Sequence, residues 1–160
     1  MKNWKVILAI LTANVVLMAA GYTMLIPFLP MYLMNELGVS AADVKMWNGA
    51  IFSITFLIGG IMAPIWGKMA DTRGKKMMAV RAGAGLALSY FLGGIVTTPE
   101  QLFGVRVLQG FAAGLWSACL AIATSLVPME KLGVSLGIMQ AGLTCGNVIG
   151  PLVGGSLATL

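Results

Sequence analysis

The chain has 160 residues, of which 59% are hydrophobic and 9% charged, with a formal net charge of +5. A soluble domain has roughly 25% charged residues, so this chain cannot cover a water-facing surface and reads as an integral membrane protein. Its positive charges cluster at the ends of apolar runs rather than over one solvated face, which excludes nucleic acid as the partner.

Five membrane helices are predicted in chain order, over residues 6–33, 47–66, 77–97, 102–127 and 134–157. Each reaches the ~20 residues needed to cross the hydrocarbon core. The first run, with Lys2 and Lys5 ahead of it, is too long for the ~7–15-residue core of a signal peptide. It carries a thin polar stripe of Asn14, Gly21 and Tyr22, with Thr23 beside it, and Pro27 and Pro30 are expected to kink its outer end. The connection of residues 35–46 holds Glu36, Asp43 and Lys45.

Between the second and third runs lies the densest charge cluster, Gly67-Lys68-Met69-Ala70-Asp71-Thr72-Arg73-Gly74-Lys75-Lys76. It is predicted as a loop that fixes orientation. With the amino terminus inside, Lys2, Lys5, Lys68, Arg73, Lys75, Lys76, Arg81 and Lys131 all face the cytoplasm and Lys45 faces out. That is the distribution of the positive-inside rule. Trp4 and Trp66 then anchor the inner interface and Trp47 the outer one, while Arg81 is expected to snorkel to the inner headgroups.

The fourth run contains Arg106, the one charge deep in an apolar stretch. Arg106, Gln109, Gly110, Ala113, Ser117 and Thr124 follow helical spacing and form a polar or small stripe, which suits a water-filled cavity better than lipid. The fifth run carries Gly142, Gly146, Gly150 and Gly154, one every four residues, followed by Gly155, with Pro151 among them. Such a row makes a groove that another helix can approach closely. Superposing Pro64 on Pro151 aligns Gly59 with Gly146, Ala63 with Gly150 and Gly67 with Gly154, on helices that run in opposite directions. That pattern predicts an inverted repeat of three helices plus three. Five helices and an apolar last residue, Leu160, then predict a piece of a longer protein.

There is no histidine, and Cys119 and Cys145 both lie in apolar runs. No cofactor and no metal site is expected. No acid, base and nucleophile converge, so an enzyme is not expected.

Three of these stretches resemble the signature motifs of the major facilitator superfamily, and specifically its drug–proton antiporter branch with twelve membrane helices. Gly67, Asp71, Gly74 and Lys75 match the motif between helices two and three. Thr72 stands where that motif has a basic residue, with Arg73 after it. Residues 102–114 resemble the helix-four motif through Arg106, Gln109 and Gly110. Residues 146–155 resemble the antiporter motif of helix five, through Gly146, Gly150, Pro151, Gly154 and Gly155. The resemblance implies an all-α, polytopic helix bundle, the amino-terminal half of the transporter lacking its sixth helix. It also implies roles. Gly67, Asp71, Arg73, Gly74 and Lys75 would form a gating loop. Arg106, Gln109, Gly110, Asn14, Tyr22 and Ser117 would serve the cavity and proton coupling, and the helix-five motif would line the contact between two six-helix halves.

The implied function is multidrug efflux of lipophilic small molecules by proton antiport in the cell membrane. The implied partners are the lipid bilayer, the substrate, protons and the remaining carboxy-terminal helices. The five acids, Glu36, Asp43, Asp71, Glu100 and Glu130, sit in or beside loops, so a titrating membrane carboxylate is expected elsewhere in the transporter. An uptake carrier for a sugar or metabolite is the alternative within the superfamily. A non-transporting membrane fragment packed on a partner chain is the alternative outside it.

Overall fold

The computed structural model describes residues 3–158. Among the described residues the secondary structure is helical, in seven segments: α1 (Trp4–Met24), α2 (Leu29–Asn35), α3 (Val44–Arg73), α4 (Lys75–Gly93), α5 (Pro99–Ala112), α6 (Leu115–Leu126) and α7 (Met129–Ala158). By length and composition Trp4–Met24, Val44–Arg73, Pro99–Leu126 and Met129–Ser156 can each cross a membrane. The chain divides into two compact units, Met1–Leu29 with Cys119–Leu160, and Pro30–Ala118.

The predicted boundaries need correction, each for a local reason. The first run is not one helix over 6–33. It stops at Met24 and resumes at Leu29, because neither Pro27 nor Pro30 can donate to a helical ladder. The second helix is longer than 47–66: α3 has 30 residues, about 45 Å at helical rise, and so projects beyond the hydrocarbon core. Most of the charge cluster predicted as a loop therefore lies in the last turns of α3. The reversal is made by Gly74 alone, at φ 94°, a conformation that suits glycine and few other residues.

The third helix, α4, begins two residues before its predicted start and has 19 residues. The fifth begins at Met129, so Glu130, Lys131 and Gly133 are helical rather than connecting. Residues 98–101, which lie between the predicted third and fourth helices, instead start α5. Thr98 caps it by accepting from the Gln101 backbone N–H at 3.3 Å, and the Gln101 side chain accepts from the Thr97 N–H at 3.0 Å. With Pro99 in the first turn, both contacts fasten the start of the helix.

In the first unit α1 packs along α7. Four glycines of α7, one every four residues, face α1 in steps of one turn. Gly142 meets Thr12 and Val16, Gly146 meets Val16 and Ala19, Gly150 meets Ala20 and Thr23, and Gly154 meets Met24 and Phe28. Both sequences rise together, so the two helices run in the same direction. A methyl group at Gly146 would sit 2.5 Å from the Val16 carbonyl oxygen, so backbone approaches backbone here. The Thr23 hydroxyl folds back onto the Ala19 carbonyl at 2.8 Å.

In the second unit α5 packs against both α3 and α4. Gly110 lies against the Thr55 carbonyl of α3, and Gly59 of α3 faces Ala113, so α3 and α5 also run parallel. Gly85 of α4 meets Ala112 while Gly93 meets Val105, so α4 runs antiparallel to α5. The expected alternation of helix direction holds within each unit. The Gly–Pro similarity of α3 and α7 is only partly matched in packing. Gly146 and Gly154 of α7 meet α1, whereas of their counterparts on α3 Gly59 meets α5 and Gly67 has open space.

Candidate functional site

Arg106 and Gln109 sit on the face of α5 that turns toward α3. Both are buried, at 5% and 4% exposure. The Arg106 Nη1 donates to the Gln109 Oε1 at 2.9 Å, across one helical turn. The guanidinium carbon lies 5.9 Å from the centre of the Phe52 ring on α3. Thr55, also buried, donates its hydroxyl to the Ile51 carbonyl at 3.1 Å and lies 3.3 Å from that of Arg106. The amide nitrogen of Gln109 is buried without a hydrogen-bond acceptor among the described residues. A buried donor of that kind costs ~1–3 kcal/mol and suits an acceptor brought by something else. Gly110 works differently from its expected cavity role. A methyl group there would lie 2.6 Å from the Thr55 oxygen, so it sets how closely α5 approaches α3.

Of the remaining cavity candidates, Ser117 shares the unit that holds this cluster. Ser117 and Thr124 lie on α6, both exposed, because Ala113 and Gly114 interrupt the stripe that their spacing predicts. Asn14 is exposed on α1 and Tyr22 half-buried on the same helix, in the other unit.

Of the expected gating loop, Gly67, Asp71 and Arg73 are exposed on the last turns of α3, Gly74 makes the reversal, and Lys75 opens α4. Asp71 does not cap α4, whose start has no side-chain cap. Lys2, counted with the inner-face charges, lies outside the described residues. The antiporter-motif residues Gly146, Gly150, Gly154 and Gly155 all face α1 or Phe28 beyond it, and Pro151 is inside α7. The groove expected to meet the other half of a transporter is thus occupied by this chain's own first helix.

One cluster escaped the sequence reading. Arg81 does not snorkel. Its Nη1 donates to the Phe111 carbonyl at 3.2 Å and its Nη2 to the Ala113 carbonyl at 3.0 Å. The guanidinium lies 3.8 Å from the centre of the Trp66 ring. Trp66 in turn donates its indole N–H to the Phe111 carbonyl at 2.9 Å and meets the Phe111 ring edge-on, centroids 5.0 Å apart. The end of α5 is therefore clasped by one residue from α3 and one from α4. The available signal was the depth of Arg81, more than one turn inside its helix, where headgroups are harder to reach.

Compared with known proteins, residues 11–160 match the model of the Major Facilitator Superfamily. The chain belongs to that superfamily. It is 39% identical over 159 residues to the multidrug resistance protein MdtG of Proteus mirabilis, covering 99% of this chain and 39% of that protein. It is 38% identical over 158 residues to a multi-drug resistance efflux pump PmrA homolog of Lactococcus lactis, covering 98% and 38%. The staphyloferrin B transporter of Staphylococcus aureus is 36% identical over 157 residues, again covering 98% and 38%. The chain thus spans about two-fifths of the length of these relatives. Family and apolar helices together make this a membrane protein.

Proposed function

We propose that this chain is the amino-terminal part of a secondary transporter that exports lipophilic small molecules in exchange for protons. The observation that carries this reading is the stretch of residues 146–155, which meets every specified position of the antiporter motif, in a chain that is similar over 98–99% of its length to proteins named for multidrug resistance and drug efflux. The buried Arg106–Gln109 pair supports it, since a buried cation beside an unpaired donor is suited to an acceptor that comes and goes. The walls of apolar and Met-rich helices fit substrates of varied shape. The site is proposed in the cell membrane, with the amino terminus cytoplasmic. The cluster of Lys68, Arg73, Lys75 and Lys76 where α3 meets α4 supports that orientation. A carrier for one defined compound is the second reading, favoured by the similarity to the staphyloferrin B transporter.

The test is transport by the complete gene product in inverted membrane vesicles, with a fluorescent lipophilic cation and an imposed proton gradient. Uptake that saturates and collapses with a protonophore is expected. Absence of gradient-driven movement across a panel of lipophilic compounds overturns the export reading. Selective transport of a single polar compound favours the second.

A further inference from the structure

In an unbroken α-helix the carbonyls of Phe111, Ala112 and Ala113 accept from the N–H groups of Leu115, Trp116 and Ser117. Here Gly114, at φ 110°, turns the chain between α5 and α6. Among the described residues those three N–H groups have no backbone acceptor, and regular bonding resumes with the Ala118 N–H on the Gly114 carbonyl at 2.9 Å. Three carbonyls have lost their helical donors. Arg81 and Trp66 replace two of those donors with side chains, at Phe111 and Ala113.

The residue pattern nevertheless belongs to an unbroken helix. Arg106, Gly110, Ala113, Ser117 and Thr124 keep one helical face straight through the interruption. Both arrangements satisfy the Phe111 and Ala113 carbonyls, one through the clasp and one through the backbone. Glycine at 114 is open to both, since it adopts positive φ freely and helical φ at modest cost. The groups that favour the broken form sit on α3 and α4, so its stability depends on where those helices stand.

We propose that helix four is a two-state element, latched in its broken form by Arg81 and Trp66 and continuous when the latch lets go. In the continuous form Ser117 rejoins the face that carries Arg106. In the broken form it leaves that face. Displacing α4 by more than hydrogen-bond reach frees the carbonyls, and the N–H groups of Leu115, Trp116 and Ser117 then take them. The position of α4 is thereby tied to whether the polar face of helix four is whole. Arg81 acts here as a positioning residue, and the inference is independent of what the protein carries.

The test is a pair of spin labels on Gly104 and Ser117, both exposed, in the complete gene product in lipid nanodiscs, with Cys119 and Cys145 first replaced by alanine. A continuous helix places these thirteen residues of separation about 20 Å apart along the axis. Wild type is expected to show a main distance away from that value. Arg81→Gln, which removes the forked cation, shifts the main distance to it. Gly114→Ala disfavours positive φ and meets the Arg81 Nη2 only at an ordinary contact distance of 3.8 Å; it produces the same shift and serves if the Arg81 variant does not fold. A wild-type distribution already centred at the continuous-helix distance, or a folded variant with an unshifted distribution, overturns the proposal.

Discussion

Replacing Gly150 by alanine tests whether α1 and α7 are held at backbone contact. The added methyl would lie 2.6 Å from the Ala20 carbonyl oxygen and 3.1 Å from the Met24 nitrogen, and it would collide with the Thr23 hydroxyl. The hydroxyl can rotate, although it would give up its bond to the Ala19 carbonyl. The carbonyl oxygen belongs to the helix and cannot move alone. Ordinary contact begins at 3.4 Å, so the helices must separate by about 0.8 Å at this turn. A gap of that size forfeits a quarter to a half of each dispersion contact it opens, and overpacking of this kind costs about 1–3 kcal/mol. Alanine also gains about 1 kcal/mol over glycine as a helix former, which would mask part of the loss. The control is Gly137→Ala on the same helix, where a methyl group meets nothing within 4 Å. The difference between the two variants removes the propensity gain and isolates the packing cost. Thermal unfolding in detergent can be followed with a thiol-reactive dye, after Cys145→Ser, through Cys119, which is 1% exposed. Gly137→Ala is expected to unfold at or above the wild-type temperature, and Gly150→Ala below Gly137→Ala by the equivalent of about 1–3 kcal/mol. Equal stabilities of the two variants would refute the close packing of α1 on α7.

Arg106→Lys keeps the charge but loses the planar fork that meets Gln109 and lies near Phe52, so efflux by the complete protein is expected to fall about tenfold or more. Dye efflux from energised cells, normalised to surface expression, measures this, and wild-type rates would remove Arg106 from the mechanism. Asp71→Asn is expected to slow efflux without lowering stability, because an acid in the last turn of α3 opposes the helix dipole by ~0.3–1 kcal/mol. A parallel loss of unfolding temperature would point to a structural role instead. Thr98→Ala removes the cap of α5 and is expected to cost about 1 kcal/mol, read from the same thermal scan. No change there would mean that Pro99 alone sets the helix start.

Membrane class and, within each unit, the relative direction of the helices were legible in the sequence. They depend on totals, the length of apolar runs and the placing of Lys and Arg, and bilayer thickness converts those totals directly into spans. The glycine row of α7 was legible as a surface for close approach for a similar reason, since a four-residue period marks one face whatever lies opposite. Its occupant was not. Thr12, Val16, Ala20 and Met24 of α1 form an ordinary apolar face, and nothing in their types marks them as the partner. Helix ends were blurred because propensity changes little across a polar segment such as residues 67–73, which stay helical until Gly74. The interruption of helix four was hidden for a stronger reason. Residues 106–124 keep unbroken helical spacing, so the local pattern argues for one continuous helix. The broken form depends on donors from Trp66 and Arg81, which lie 45 and 30 residues from Phe111 in the chain. Two of the freed carbonyls find donors in these side chains, and only the tertiary packing of α3, α4 and α5 brings them together.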